Sequence, residues 1–390
     1  MNKKRIILGI WATATMALCA CSHEEEYDDT NRLADLNINT SIALTRAATG
    51  AVTSEFFPQN TVIDVYAYSE NTNKTSNNSA KFKCTVATSS SANTWIYEGS
   101  DKIQLSAEPA TIYAVYPSAT LTVTTTAPGV TSNNLEATGM QVFLSTSDTE
   151  ANRIVADGTY TTAAPSVLAA SGETDYMYAT KTSGTEQPKA NNGKAAETIN
   201  ENSNPGNSVN LQMNHAMAMV SFRIYNDQTY THKGSLTKIQ LTNADNNSKV
   251  LKLGTATMNI STGVVTAQEG ADNAAITRYI YTKGVSSNTA GYELHKAAAS
   301  GGTAPDNNPA FSMLVYPITN DIASNSIKAV FTVDGTDYPV TIPATSSQKW
   351  EAGTNYIYTV KLNGKELGLG TVSIVDWVKQ EIGTELVPVQ

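Results

Sequence analysis

The chain has 390 residues, with 26 Lys and Arg against 35 Asp and Glu, and only 16% of its residues are charged. That acidic balance gives no electrostatic reason to expect nucleic acid as a partner, because phosphate neutralisation needs clustered Lys and Arg. Hydrophobic residues make up 41%, and much of the missing charge is replaced by Thr, Ser and Asn, which favour strands and turns over helices.

The start of the chain reads as a secretion signal. Lys3, Lys4 and Arg5 precede the apolar run from Ile6 to Leu18. That is the layout of a signal peptide, assigned here to residues 1–20, and the run is shorter than the roughly 20 apolar residues a membrane-spanning helix needs. Leu18-Cys19-Ala20-Cys21 resembles the lipobox of bacterial lipoproteins. The resemblance implies cleavage before Cys21, a diacylglycerol on its thiol and an acyl chain such as palmitate on its freed amine. Each buried CH₂ contributes about 0.8 kcal/mol, so several chains hold a protein on a membrane. The alternative is an ordinary signal peptide with an incidental cysteine. Ser22 to Asp29 follow, with Glu24, Glu25, Glu26, Asp28 and Asp29. This cluster resembles the surface-export signals of Bacteroidetes-type lipoproteins and also suits a solvated tether, residues 21–35. Losing residues 1–20 removes three positive charges and no negative ones, leaving 23 against 35 and a net charge of −12. Cys19 leaves with the signal and Cys21 is acylated, so Cys84 stands alone and no intrachain disulfide is expected.

Period-two alternation then recurs along the chain and marks half-buried strands. Leu36, Ile38, Thr40, Ile42 and Leu44 share one face, and Asn37, Asn39, Ser41 and Ala43 the other. Val62 to Tyr68 alternates as well. Later stripes are Ala216 to Ile224, then Ala329, Phe331 and Val333, then Tyr356, Tyr358, Val360 and Leu362. Past the signal no window sustains a 3.6-residue period, so the expected fold is all-β, with sheets packed face to face. The polar segment Lys181 to Ser208 reads as a linker or long surface loop. It suggests an N-terminal β-sandwich domain over residues 36–205 and a C-terminal one over 206–390. Near the end Ile382, Thr384 and Leu386 alternate with Glu381, Gly383 and Glu385, before Pro388 interrupts the pattern.

Several local patterns, taken in order, resemble one family. They include Thr45-Arg46-Ala47, Phe56-Phe57, Ile63-Asp64-Val65-Tyr66-Ala67-Tyr68 and Ile112-Tyr113-Ala114-Val115-Tyr116-Pro117. Further along stand Asp175-Tyr176-Met177-Tyr178-Ala179, Leu211 to Ala218, Ser312 to Pro317, Trp350 to Tyr356 and Ile374-Val375-Asp376-Trp377. The series is similar to the fimbrillins, the type V pilins and related lipoproteins of Bacteroidetes. The resemblance implies two transthyretin-like β-sandwich domains in tandem, export to the cell outer membrane and assembly into a fimbrium by donor-strand exchange. It implies an arginine-specific surface protease cutting between Arg46 and Ala47, which frees the first strand, residues 36–46. The implied partners are other fimbrial subunits, that protease and the outer membrane through lipid, with a receptor on a host or bacterial surface left open. The C-terminal alternation at Ile382, Thr384 and Leu386 is the candidate donor strand. Leu36 to Leu44 as a permanent edge strand, and the C-terminal segment as part of its own domain, remain the bland readings. A surface glycan-binding lipoprotein of a polysaccharide-uptake system is the alternative function.

No cofactor, metal site or enzymatic activity is expected. His23, His215, His232 and His295 lack partners at metal-ligand spacing. Cys84 has no base beside it in sequence, and Trp95, Trp350 and Trp377 sit beside alternating strands, where core filling is their ordinary role. Replacing Cys21→Ala is expected to release the protein from the membrane fraction or stall its export. Cell fractionation followed by immunoblotting checks this, and an unchanged membrane fraction contradicts the lipobox.

Overall fold

The alternation forms strands throughout. The computed structural model describes residues 32–42, 57–68, 79–86, 93–123, 135–158, 167–181, 186–194, 205–245, 249–305, 308–342, 348–364 and 367–376. Among them the only helical element is the three-residue 3₁₀ turn Glu150–Asn152, and all other regular structure is strand. The all-β reading therefore holds. Cys21, Leu44, Arg46, Ala47, Ile382, Thr384 and Leu386 lie outside the described residues.

The first core is built by one long sheet. Its strands run in the order Asn37–Ile42, Ser208–His215, Met177–Lys181, Ala110–Tyr116, Val62–Tyr68, Ser79–Val86 and Asn93–Tyr97. The sheet rolls until its two ends meet: the Trp95 indole Nε1 at one end donates to Thr40 Oγ1 at the other, 2.9 Å away. One rolled sheet thus supplies both walls of the core. Ile63, Val65, Phe82, Ile112, Met177, Leu211 and Met213 fill it, all nearly or fully buried. Residues on the opposite face of the central strands are not left to water. Tyr66, Tyr113 and Val115 pack into the second core, so the two cores share a wall.

The second core lies mainly between two sheets. One centres on Ala218–Asn226, flanked by Ala310–Val315 and by Thr354–Leu362, with Leu367–Asp376 at its edge. The other centres on Ser235–Asn243, flanked by Ile276–Thr282 and Ile327–Val333. Ile327, Ala329, Phe331 and Val333 point inward and are fully buried. Phe331 meets Phe222 of the opposite sheet edge-on, with ring centroids 5.2 Å apart, the T-shaped geometry aromatic quadrupoles favour. Asp334 and Gly335 turn the chain into Thr336–Ile342 with φ of 48° and 79°. Two successive positive φ angles are what a tight type I′ hairpin requires, and Asp-Gly meets that demand.

Strand pairing does not follow chain order across residue 205. Arg153–Ala156 runs parallel beside Arg153's partner Tyr279 and onward to Thr282, and Val167–Leu168 runs parallel to Ala310 and Phe311. Ser208–His215, in turn, belongs to the first sheet. Part of the polar segment also turns out to be fixed: Lys189–Ala190 pairs with Ala110–Tyr116, and Asn191 is fully buried. The Asn191 amide donates to Ala107 O at 3.0 Å and Lys194 O at 2.9 Å, while its Oδ1 accepts from Gly193 N and Gly206 N. A side chain that satisfies four backbone groups organises a loop without needing an apolar residue, which is why the segment reads as linker in the sequence.

One buried ion pair ties this crossing segment to both sheets of the second core. Arg278 Nε and Nη2 donate to Glu173 Oε1 at 2.7 and 2.5 Å, and Glu173 Oε2 accepts from Leu314 N at 3.3 Å. Arg278 Nη1 donates further to Thr277 O and Phe143 O. Burial pushes the Glu173 carboxyl upward in pKa, against the pull of the guanidinium. Removing one partner strands the other charge in the interior, which costs about 3–5 kcal/mol. Glu173→Ala is accordingly expected to lower stability by about that amount, measured by denaturant unfolding. A loss within about 0.5 kcal/mol, the range of an ordinary surface change, contradicts the clamp.

Candidate functional site: the leading strand and its groove

Asn37–Ile42 forms because its alternation gives it one face to bury. Leu36, Ile38 and Ile42 are 0, 5 and 3% exposed, and Thr40 is 8% exposed on the same side. Asn37 and Asn39 face outward. The strand pairs in parallel with Ser208–His215, in register from Asn37 opposite Ser208 to Ile42 opposite Met213. That ladder is one-sided. Toward Asn93–Tyr97 no backbone ladder exists among the described residues; two side chains bridge the gap instead. Trp95 donates to Thr40 as described, and the Tyr97 hydroxyl donates to Leu36 O at 2.8 Å. Burial, with the Asp35 carboxylate adding to it, pushes the Tyr97 phenol up to about 12, so it remains a donor at any physiological pH.

The residues just ahead of the strand are held by further polar contacts. Leu36 N donates to Ile103 O at 3.0 Å and Asn37 N to Asn207 O at 2.8 Å. Ala34–Asp35 pairs antiparallel with Gln104–Leu105. The Asn207 and Asn192 amides donate to Asp35 O and Arg32 O at 2.9 and 2.7 Å, and Lys102 pairs with Asp35 at 2.5 Å on the surface. The buried face of the strand belongs to one cluster with Val209, Leu211 and Met213 of its ladder partner and with Phe57 and Cys84. Phe57 sets its ring edge-on to Trp95, 5.6 Å away. Cys84 is fully buried, with Sγ 3.6 Å from Phe57 O, a structural environment rather than a reactive one.

The structure therefore brings Leu36, Ile38, Thr40 and Ile42 together on one buried face. Trp95 and Tyr97 are the residues that sequence reasoning assigned no part in holding this strand. Their i, i+2 spacing, which places both on one face of a strand, was the available signal. Asn192 and Asn207 carried none. Of the histidines, His215 is buried with Nδ1 2.6 Å from Asp175 Oδ2, and His232 and His295 lie against Tyr230 and Tyr292. Among the described residues no three His, Cys, Asp or Glu side chains converge as metal ligands, and no helix is long and apolar enough to cross a membrane.

Fold and groove together define an all-β protein with a rolled sheet, a second core of facing sheets and a one-sided leading strand seated over apolar side chains. Residues 45–377 match the fimbrillin-like family, and the chain belongs to that family. Among solved structures it is similar to a candidate cell adhesion protein from Bacteroides uniformis, at 15% identity and a TM-score of 0.49, covering 88% of this chain and 98% of that one. A fimbrial protein from Bacteroides vulgatus matches at 11% identity and a TM-score of 0.46, over 88% and 100%. The tip fimbrial protein Mfa3 from Porphyromonas gingivalis, with C-terminal truncation, matches at 10% and 0.35, over 88% and 100%. No curated protein matches the sequence.

Ile38→Ala removes a buried side chain from the middle of the seated strand and is expected to cost about 2–4 kcal/mol of stability. Denaturant unfolding, together with amide exchange at Val209 to Met213, measures it. Unchanged protection of those amides contradicts the account of the seat.

Proposed function

We propose that this chain is a structural or adhesive fimbrial subunit, exported as a lipoprotein on Cys21 and assembled at the outer-membrane surface by protease-triggered strand exchange. One observation carries the reading. In a member of the fimbrillin-like family, the leading strand Asn37–Ile42 has, among the described residues, a backbone ladder on one side only, yet with Leu36 it buries three large side chains. A cut between Arg46 and Ala47 frees residues 36–46 to leave. At roughly 1.5–3 kcal/mol per large side chain, Leu36, Ile38 and Ile42 together represent about 5–9 kcal/mol of burial. Their departure also exposes a row of backbone donors and acceptors along Ser208–His215, an open edge of the kind that templates pairing.

A strand from a neighbouring subunit restores both terms, which is β-augmentation used as a polymer joint. The donor in this reading is the C-terminal alternation at Ile382, Thr384 and Leu386. Where the donor of one copy fills the groove of the next copy rather than its own, the contact is heterologous and propagates as a filament. The two tandem units, residues 36–205 and 206–390, then trade strands at their junction, as the placement of Ser208–His215 and Arg153–Ala156 supports. The partners are other fimbrial subunits, an arginine-specific surface protease and the membrane through lipid. No cofactor and no catalytic step is involved.

The test is direct. Purified protein is treated with an arginine-specific protease, its new N-terminus is read by mass spectrometry, and its size is followed by gel filtration. Loss of everything up to Arg46, with high-molecular-weight ladders, is expected, and Arg46→Ala is expected to fold normally but remain monomeric. Cleaved monomer that never assembles, or ladders formed equally by Arg46→Ala, rejects the mechanism.

A further inference from the structure

We propose that Trp95 reads the incoming strand through its indole N–H, and that the strand it selects is residues 382–386 of a second copy of this chain, seated with Thr384 in the place of Thr40. The inference rests on strand exchange as proposed above and specifies its register.

The side-chain pairs Lys102–Asp35 and Asn39–Asn210 lie on the exposed side of the leading segment; its buried contacts are of three kinds. The parallel ladder, Leu36 N to Ile103 O, Tyr97 to Leu36 O and Asn207 to Asp35 O all engage backbone atoms. Any extended strand presents those atoms, so they add affinity without choosing a sequence. The pits that hold Ile38 and Ile42 ask only for apolar side chains of suitable volume. Thr40 is different. Its Oγ1 accepts a 2.9 Å hydrogen bond from Trp95 Nε1, and both residues are 8% exposed. An indole N–H can donate and cannot accept. Once the leading strand leaves, the groove contains an oriented donor midway between two apolar pits, with Phe57 packed edge-on against the indole.

An occupant that puts an apolar side chain against that donor leaves it dry and unpaired, which is penalised well beyond the loss of an ordinary contact. The matching sequence is an oxygen acceptor flanked two residues away on each side by apolar residues. Ile38, Thr40 and Ile42 have that form, and Ile382, Thr384 and Leu386 repeat it with the same spacing. The second set lies beyond Asp376, where the last described strand ends. Because the pattern is symmetric about its threonine, the hydrogen bond sets the register whichever direction the strand enters. A slip of two residues brings Ile382 or Leu386 to the indole and is selected against. Thr384 and Trp95 are therefore specificity-determining partners in different copies of the chain.

A double-mutant cycle on the full chain, cut with an arginine-specific protease, tests this. The readout is the concentration at which the cut chains assemble, followed by gel filtration. Thr384→Val keeps the shape and removes the hydroxyl. With Trp95 intact it is expected to weaken assembly on the order of tenfold or more, while Thr384→Ser stays close to the parent. In the Trp95→Phe groove the same Thr384→Val change is expected to matter by no more than about twofold, since no donor remains to be stranded. Equal effects of Thr384→Val in both grooves, or none in the intact groove, overturn the proposal. Should Trp95→Phe fail to fold, as thermal unfolding before cleavage shows, the Val and Ser variants in the intact groove decide it by themselves. A cut parent chain that forms no multimers rejects strand exchange and the register with it; a parent that assembles without coupling between Trp95 and Thr384 rejects the register alone.

Discussion

The parallel ladder between Asn37–Ile42 and Ser208–His215 is the contact on which the first core depends. Ser208–His215 is paired on one side to Met177–Lys181 and on the other to the leading strand alone. Take the leading strand away and one wall of the core ends in an open edge above Leu211 and Met213. The rolled shape of the sheet makes the dependence sharper. The opposite end, Asn93–Tyr97, reaches the leading strand through side chains rather than a ladder, and just ahead of it the seam is closed by the short pairing of Ala34–Asp35 with Gln104–Leu105 and the Leu36 N to Ile103 O bond.

The rest of the first sheet is held independently of the leading strand. Tyr66, Tyr113 and Val115 fix the back of the rolled sheet into the second core. The segment around Glu173 is held to both sheets of that core by Arg278 and the Leu314 amide. Were the leading strand to depart, apolar burial would be lost at one rim while these contacts of the shared wall do not involve it, the pattern of proteins that open in units rather than uniformly.

Strand identity was legible in the sequence because it is a local property. Leu36 to Ile42 and Ala329 to Val333 each announce a face by alternation, and the structure buries it. Val62 to Tyr68 alternates too but is buried on both faces, because Tyr66 packs into the second core while Ile63, Val65 and Ala67 fill the first. The family resemblance likewise agrees with the match over residues 45–377. Partnership was not legible, because a parallel pair such as Asn37 with Ser208 joins residues 171 apart and leaves no trace at either position. Polar organisers were hidden for a related reason. Asn191, Asn192 and Asn207 sit in a stretch whose composition is that of a loop, and their work consists of hydrogen bonds to distant backbone atoms. Trp95 looked like core, and is, but its indole N–H carries a second role that burial alone does not reveal.

The direction of the ladder also has a mechanical side. Asn37–Ile42 and Ser208–His215 run the same way, so tension applied to the chain ahead of Asn37 and to the chain beyond His215 pulls along the strands in opposite senses. Such a pair is loaded in shear, with its inter-strand bonds sharing the force together. An antiparallel hairpin pulled from its two free ends would instead peel open one bond at a time. Geometry of this sort resists sudden drag far better than its modest length of six residue pairs suggests.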